Sequence, residues 1–91
     1  MNSKNETMKI TLLYFAQLKE DIGLAQEVLE LEETAPTLTG KGLLHLLGEQ
    51  YPVIQLLAPS LSMAVNEEYW PQDEAIPDGA TVALIPPVSG G

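Results

Sequence analysis

Few side chains in this sequence could carry out covalent or metal chemistry. The 91 residues include no cysteine, which excludes disulfides, thiolate metal sites and a cysteine nucleophile. The single histidine, His45, lies among leucines without a second metal ligand or a partner base, so we interpret it as a helix-surface or hydrogen-bonded residue. The acid pairs Glu67-Glu68 and Asp73-Glu74 would point to opposite faces of an extended chain and are interpreted as solvated charges. We therefore expect no metal site and no complete enzyme active site in this chain.

The most distinctive chemical group is the carboxylate that ends the stretch ALIPPVSGG, residues 83–91. The two prolines each hold φ at about −65°, which stiffens the exit from the last strand. The valine that follows could lie against an apolar wall of a partner. The two glycines have no side chains and could enter a channel too narrow for other residues. The residues expected to insert into a partner are Pro86, Pro87, Val88, Ser89, Gly90 and Gly91.

The carboxylate of Gly91 is ionised at neutral pH. Its attack on the α-phosphate of a nucleotide would give an acyl adenylate, which a sulfur donor could convert to a thiocarboxylate. The sequence contains no glycine-rich phosphate-binding loop. We therefore expect the chain to bind no cofactor, and we expect ATP to be used by a partner activating enzyme.

The elements that would position this tail begin and end with strands. MKITLLYFA (8–16) is rich in β-branched and aromatic residues and predicts a first strand, and QLKEDIG (17–23) predicts a helical turn closed by its glycine. AQEVLELEE (25–33) alternates and predicts a second strand, antiparallel to the first. LSMAVNEEYW (61–70) predicts a strand interrupted by an Asn-Glu turn, and TVALIPP (81–87) predicts the last strand.

The main helix is predicted within TAPTLTGKGLLHLLGEQYP (34–52), where Thr39 is a suitable N-cap and Pro52 a boundary. Gly42 and Gly48 each weaken a helix by about 1 kcal/mol relative to alanine, so packing must hold it. Leucines recur at the spacing of one buried stripe. That stripe is predicted to consist of Leu43, Leu44, Leu46 and Leu47.

The order of these elements predicts an α+β fold of the ubiquitin-like β-grasp type, with a mixed sheet and one main helix packed on one face. VIQLLAP (53–59) is ambiguous and compatible with a helical turn. Residues 1–7 are predicted to be a disordered lead. Residues 8–91 are predicted to be a single domain, with a flexible C-terminal tail over 86–91.

The charge balance restricts the kind of partner. The net charge is −9, from 13 acidic residues against four lysines, which argues against nucleic acid and against an anionic membrane surface. A partner with a basic patch is the natural complement. No segment has the roughly 18 apolar residues needed to span a bilayer, and the start MNSKNETMK lacks the apolar middle of a signal peptide. We therefore expect the protein to be cytoplasmic.

Strand periodicity also predicts an exposed apolar surface beside the tail. If Ile10 and Tyr14 face the helix, the alternate residues of the first strand, including Phe15, face away. A β-grasp pairs its first and last strands in parallel, so Phe15 and Ile85 should lie side by side near the tail, and Tyr69 extends this surface. An exposed apolar patch rimmed by charge indicates an interface. Phe15, Tyr69 and Ile85 are therefore predicted to contact a partner.

The ending VALIPPVSGG resembles the C-terminal signature of the small subunit of molybdopterin synthase, a family of ubiquitin-like sulfur carriers. The similarity continues in LLYFAQLKEDIG, VNEEYW and IPDGATVALIPP and covers most of residues 8–91. The Pro-Pro-Val-x-Gly-Gly ending is fairly specific to this family, whereas Gly-Gly alone is shared by every ubiquitin-like carrier.

The resemblance implies that an activating enzyme similar to those of the ubiquitin pathway adenylates Gly91, and that a sulfur relay then makes its thiocarboxylate. The tail would insert into the active site of a large subunit and donate sulfur to cyclic pyranopterin monophosphate, forming the dithiolene that holds molybdenum or tungsten. Catalytic residues are expected on the large subunit, in a heterotetramer of two large and two small chains.

Three alternatives stay open at this point. The chain could be a sulfur carrier for thiazole, thiolated tRNA or cysteine synthesis, with the same tail chemistry and a different acceptor. It could be a protein modifier whose Gly91 forms isopeptide bonds with lysines. It could also be a β-grasp adaptor whose tail is incidental, in which case deleting Gly90 and Gly91 would leave function intact.

Overall fold

The described part of the chain forms a five-stranded mixed sheet with three α-helices. The computed structural model describes residues 7–32 and 38–87. The sheet order is β2-β1-β5-β3-β4, with β1 parallel to β5 and the other pairs antiparallel. The predicted α+β class and mixed sheet are confirmed. The elements are β1 (Thr7–Tyr14), α1 (Ala16–Ile22), β2 (Gln26–Glu32), α2 (Gly40–Gln50), α3 (Pro52–Leu57), β3 (Ser62–Val65), β4 (Glu68–Tyr69) and β5 (Thr81–Ile85), with a 3₁₀ turn at Ala58–Ser60.

The two central strands, β1 and β5, supply the middle of the core. Successive side chains of a strand point to opposite faces, and the inward residues Leu12, Tyr14, Val82 and Leu84 are each at most 1% exposed. Burying an aliphatic or aromatic side chain of this size contributes about 1.5–3 kcal/mol. The helices complete the same core through their buried residues, which are Leu18 of α1, Leu43, Leu44 and Leu47 of α2, and Ile54 of α3.

The main helix, α2, begins as predicted but buries a narrower stripe. The Thr39 hydroxyl oxygen accepts a hydrogen bond of 3.1 Å from the backbone N–H three residues on, so it is the N-cap. Leu43, Leu44 and Leu47 are buried, whereas Leu46 is 39% exposed. The prediction for Leu46 was wrong because each helical residue turns by about 100°, which places Leu46 beside the buried stripe rather than within it.

A third helix follows directly where the sequence left the structure open. Pro52 bounds α2, as predicted, and is also the first residue of α3. The stretch 53–59 forms the rest of α3 and part of the 3₁₀ turn. A Cβ at Gly48 would lie 3.1 Å from Cβ of Gln55. Gly48 therefore costs helix propensity but allows α3 to pack closely on α2.

The connection between β1 and β2 differs from the predicted boundaries. The strand predicted over 8–16 ends at Tyr14, because Ala16 has φ of 52° and begins α1. The helix ends at Gly23, whose φ of 89° is the left-handed conformation that favours glycine. Thr7 already belongs to β1 rather than to the predicted lead; the rest of the lead lies outside the described residues.

The hairpin between β3 and β4 fixes the beginning of β5. Its two loop residues, Asn66 and Glu67, have φ of 52° and 72°, which confirms the predicted Asn-Glu turn. The Asn66 backbone N–H donates to the Thr81 carbonyl at 2.8 Å. The Thr81 N–H donates back to Oδ1 of Asn66 at 3.0 Å. The strand that leads to the tail is therefore tied at its first residue.

Candidate functional site

The predicted tail leaves the sheet at the end of a central strand. β5 ends at Ile85 and is followed by Pro86 and Pro87, the last described residues. The parallel register pairs Tyr14 with Leu84, so the next residues, Phe15 and Ile85, come side by side, as predicted. Phe15 is 46% and Ile85 36% exposed. Two large apolar side chains are therefore accessible where the chain leaves the domain.

The outer face of the sheet carries an apolar row that runs across four strands. Leu13 lies opposite Ala83, Ala83 opposite Ala64, and Ala64 opposite Tyr69. Residues directly opposite each other share a face of the sheet, so Tyr69, which is 83% exposed, extends this surface as predicted. We call this surface the apolar patch; it consists of Leu13, Phe15, Ala64, Tyr69, Ala83 and Ile85.

The outer face changes from polar to apolar toward the tail. Along β1 the outward residues are Lys9 and Thr11, followed by Leu13 and then Phe15. An acidic group borders the apolar part, since the exposed Glu67 lines a depression of about 540 Å³ together with members of the apolar patch. An exposed apolar surface with a charged rim is the usual form of a protein interface.

A second depression, which we call the tail-root groove, lies where the tail begins. It has a volume of about 590 Å³. The left-handed φ of Ala16, 52°, costs about 1–2 kcal/mol in a residue with a Cβ, and such strain concentrates at functional sites. Nothing in the sequence pattern identified the tail-root groove. The groove is lined by Phe15, Ala16, Gln17, Leu57, Ile85, Pro86 and Pro87.

The carboxylate of Glu27 on β2 binds the last residue of β1, and the sequence did not single it out. Oε2 of Glu27 accepts hydrogen bonds from the Tyr14 hydroxyl at 2.6 Å and from the Tyr51 hydroxyl at 2.8 Å. The two rings meet edge to face, with centroids 6.2 Å apart. The pKa of both phenols is raised, mainly by burial and to a smaller extent by the hydrogen bond to Glu27. Both hydroxyls therefore stay protonated and act as donors. The spacing of these three residues along the chain gives no local signal.

The remaining candidate groups, within the part of the chain that the structure describes, show no catalytic arrangement. Nε2 of the exposed His45 is 3.6 Å from Oε2 of Glu49, one turn along α2. Glu68 and Asp73 are exposed, as expected for solvated charges. Across residues 7–32 and 38–87, no group of three His, Asp or Glu side chains could hold a metal ion. In the same ranges, no helix is long and apolar enough to cross a membrane.

Four residues of the predicted tail lie outside the described residues: Val88, Ser89, Gly90 and Gly91. Their predicted insertion into a partner, and the predicted modification of Gly91, stay predictions. The structure describes the two prolines that precede these residues and the apolar patch beside them.

The strand order, the parallel pairing of β1 with β5 and the helix layer on one face define a ubiquitin-like β-grasp domain. Solved structures with this fold include the following two. One is the solution structure of small archaeal modifier protein 1 from Methanosarcina acetivorans, with a TM-score of 0.74, 18% identity, and coverage of 94% of this chain and 99% of that chain. The other is the complex of subunits 1 and 2 of the molybdopterin-converting factor from Helicobacter pylori, with a TM-score of 0.59, 24% identity, and coverage of 92% and 100%.

Sequence similarity identifies the family within this fold. The chain belongs to the ThiS family, whose model matches residues 12–91. It is 40% identical over 86 residues to a molybdopterin synthase sulfur carrier subunit of Chlamydomonas reinhardtii. That alignment covers 92% of this chain and 100% of the relative. The family resemblance inferred from the tail is confirmed.

Proposed function

We propose that this protein is the sulfur-carrier small subunit of a molybdopterin synthase. The observation that carries the proposal is the exit of Pro86 and Pro87 from the edge of the apolar patch, in a chain that aligns with the whole length of a carrier of that name. A tail that starts at a docking surface can enter a partner's active site while the domain stays bound outside it.

The proposed chemistry takes place at the carboxylate of Gly91. An oxygen of the carboxylate attacks the α-phosphorus of ATP and releases pyrophosphate, giving the acyl adenylate. A sulfur nucleophile then attacks the carbonyl carbon and displaces AMP, leaving the thiocarboxylate. The thiocarboxylate sulfur then bonds to a carbon of cyclic pyranopterin monophosphate and displaces an oxygen substituent from it. Water cleaves the acyl carbon–sulfur bond, so the sulfur stays on the product and the carboxylate of Gly91 is restored. The ATP belongs to the activating enzyme in this scheme, and the chain itself binds no cofactor.

The proposed partner for the last step is a large subunit that holds the catalytic residues. The complex of two converting-factor subunits from Helicobacter pylori shares this fold in its small chain and supports such a pairing. The assembly is proposed to contain two large and two small chains and to work in the cytoplasm. The acidic chain, with a net charge of −9, would be attracted to a basic surface on either partner.

Docking through the apolar patch is tested by introducing a charge into it. Phe15→Asp and Ile85→Asp would each place a carboxylate in a desolvated interface. Each should weaken binding to the large subunit roughly thirtyfold, as expected for a hot-spot loss of about 2 kcal/mol. Both side chains are already partly exposed in the free domain, so the melting temperature should change little. Titration calorimetry with the purified large subunit measures the affinity.

Leu56→Asp is the matched control for these variants. Leu56 is 78% exposed on α3 and lies outside the apolar patch, so its substitution should leave the affinity unchanged. Wild-type affinity in Phe15→Asp and Ile85→Asp would contradict docking through this surface. Unfolding of the two variants would also contradict it, because both side chains would then be needed for folding rather than for docking.

The acceptor distinguishes this proposal from its nearest alternatives. The thiocarboxylated chain should lose its sulfur when mixed with the large subunit and cyclic pyranopterin monophosphate, and should keep it with acceptor enzymes of thiazole, tRNA or cysteine pathways. The modifier reading instead predicts higher-mass conjugates on a blot of cell extract. Fold alone does not separate these, because a small archaeal modifier protein shares it; the 40% identity to a named sulfur carrier favours the carrier.

A further inference from the structure

Two of the segments that line the tail-root groove beside the tail itself are far apart in sequence. One side comes from Phe15 and Ala16, which directly follow β1, and another from Leu57, the last residue of α3. The prolines that begin the tail lie in the same groove. The direction in which the tail leaves the domain therefore depends on how these two segments are held relative to each other.

Tyr14 holds the first segment. It is the last residue of β1, it is 1% exposed, and its hydroxyl donates to Glu27 at 2.6 Å. The next residue, Phe15, accepts the first hydrogen bonds of α1 at its carbonyl, from the N–H groups of Leu18 and Lys19. The strained Ala16 follows Phe15 directly, so this turn keeps its shape only while its neighbours are fixed.

Tyr51 holds the second segment. Its backbone N–H donates to the Leu47 carbonyl at 2.7 Å and its carbonyl accepts from the Ile54 N–H at 2.9 Å, so it joins the end of α2 to the start of α3. Its hydroxyl donates to the same oxygen of Glu27 at 2.8 Å. One carboxylate oxygen on β2 thus binds Tyr14, which directly precedes Phe15, and Tyr51, which directly precedes the helix that ends at Leu57.

We propose that Glu27 is a positioning residue for the carrier reaction, because its carboxylate fixes both sides of the tail-root groove and so sets the angle between the tail and the apolar patch. The inference rests on the proposed sulfur-carrier function. Most of the apolar patch lies apart from Glu27, because Leu13, Ala64, Tyr69 and Ala83 are on the outer face of the sheet, whereas Glu27 binds the hydroxyl of Tyr14, whose side chain is buried on the inner face. The patch and the groove share only Phe15 and Ile85. Loss of Glu27 should therefore slow the reaction of the bound carrier and change its binding much less.

The test is steady-state ATP–pyrophosphate exchange by the activating enzyme that adenylates the wild-type chain, with the carrier as varied substrate. Glu27→Ala should lower kcat roughly tenfold, within the hundredfold that a misplacement of about 1 Å costs. The KM for the carrier should stay within about twofold of wild type. Tyr51→Phe, which keeps the ring and removes one hydrogen bond, should lower kcat by a smaller factor. Glu27→Gln keeps an oxygen acceptor and should restore most of the rate.

Two pairs of variants separate positioning from general destabilisation. Leu57→Ala removes one side of the groove and should reproduce the loss in kcat, whereas Leu56→Ala, at its exposed neighbour, should not. Glu30→Ala removes a carboxylate from the same strand at an exposed position and should react like wild type. Melting temperatures are recorded for all variants. If Glu27→Ala does not fold, the kcat values of Tyr51→Phe and Leu57→Ala test the positioning role instead.

The outcomes distinguish this inference from the function on which it rests. A wild-type chain that no activating enzyme adenylates contradicts the proposed function itself. If the wild type reacts, unchanged kcat in Tyr51→Phe and Leu57→Ala overturns the positioning role. A rise in KM with unchanged kcat would also overturn it, because Glu27 would then act on docking.

Discussion

The β3–β4 hairpin contains a residue in a conformation that its side chain disfavours. Glu67 occupies the second position of a two-residue turn with φ of 72°, directly before the Val65–Glu68 pair. Two left-handed residues in a hairpin loop of this length form a type I′ turn, for which Asn-Gly is the preferred sequence. The chain has Asn-Glu instead. We therefore expect Glu67→Gly to stabilise the domain.

The magnitude follows from two opposing effects. A left-handed conformation costs a residue with a Cβ about 1–2 kcal/mol, and glycine removes that cost. Glycine also has more conformational freedom in the unfolded chain, which lowers the free energy of unfolding by about 0.5–1 kcal/mol. Glu67 is exposed, so little packing is lost. The net gain should be about 0.5–1 kcal/mol, which raises the melting temperature of a domain this size by roughly 2–8 °C.

Glu68→Gly is the matched control, because it removes the same charge from the adjacent residue. Glu68 is extended and pairs with Val65 in β4, so glycine there should destabilise by about 0.5–1 kcal/mol. Calorimetry and urea unfolding of both variants measure the difference. Equal losses of stability in the two would refute the assignment of strain to Glu67.

The other predictions concern helix packing and the buried phenols. Gly42→Ala should stabilise α2 by up to about 1 kcal/mol, because an added Cβ meets only ordinary contacts there. Gly48→Ala should destabilise the domain, because its Cβ would lie 3.1 Å from Cβ of Gln55. Urea unfolding of the two variants measures whether the free energy of unfolding rises in the first and falls in the second. Because burial and hydrogen bonding to a carboxylate raise the pKa of Tyr14 above its ordinary 10.0, the folded chain keeps a proton that the unfolded chain releases. The free energy of unfolding should therefore be constant near neutral pH and should fall as the pH rises above about 10. Tyr14→Phe should make that fall less steep. Urea unfolding at several pH values measures it, and an equally steep fall in the variant would contradict this role of Tyr14.

The sequence predicted the part of the fold that depends on local pattern. The alternation of β1 and β5 placed Tyr14 inside and Phe15 outside because a strand has a period of two. Thr39 and Gly23 were identified as helix ends because capping needs only a few neighbouring residues. Leu46 was misplaced because a run of leucines fills more than the width of one helix face.

The features that the sequence did not reveal depend on contacts between distant segments. Glu27 lies 13 residues from Tyr14 and 24 from Tyr51, so only the packing of β2 against the α2–α3 junction brings them together. The left-handed Ala16 is a residue type with no preference for that conformation. The tail itself was recognised from its composition, but the groove at its root requires α3, which had no clear pattern of its own.

The most direct test of the central claim is the intact mass of the chain after incubation with ATP, a candidate activating enzyme and a sulfide source. We expect an increase equal to the replacement of one oxygen by sulfur, confined to the C-terminal peptide that contains Gly91. A chain lacking Gly90 and Gly91 is the control and should not change. An unchanged mass in the full chain, with an enzyme shown to be active on its own carrier, would contradict the sulfur-carrier function.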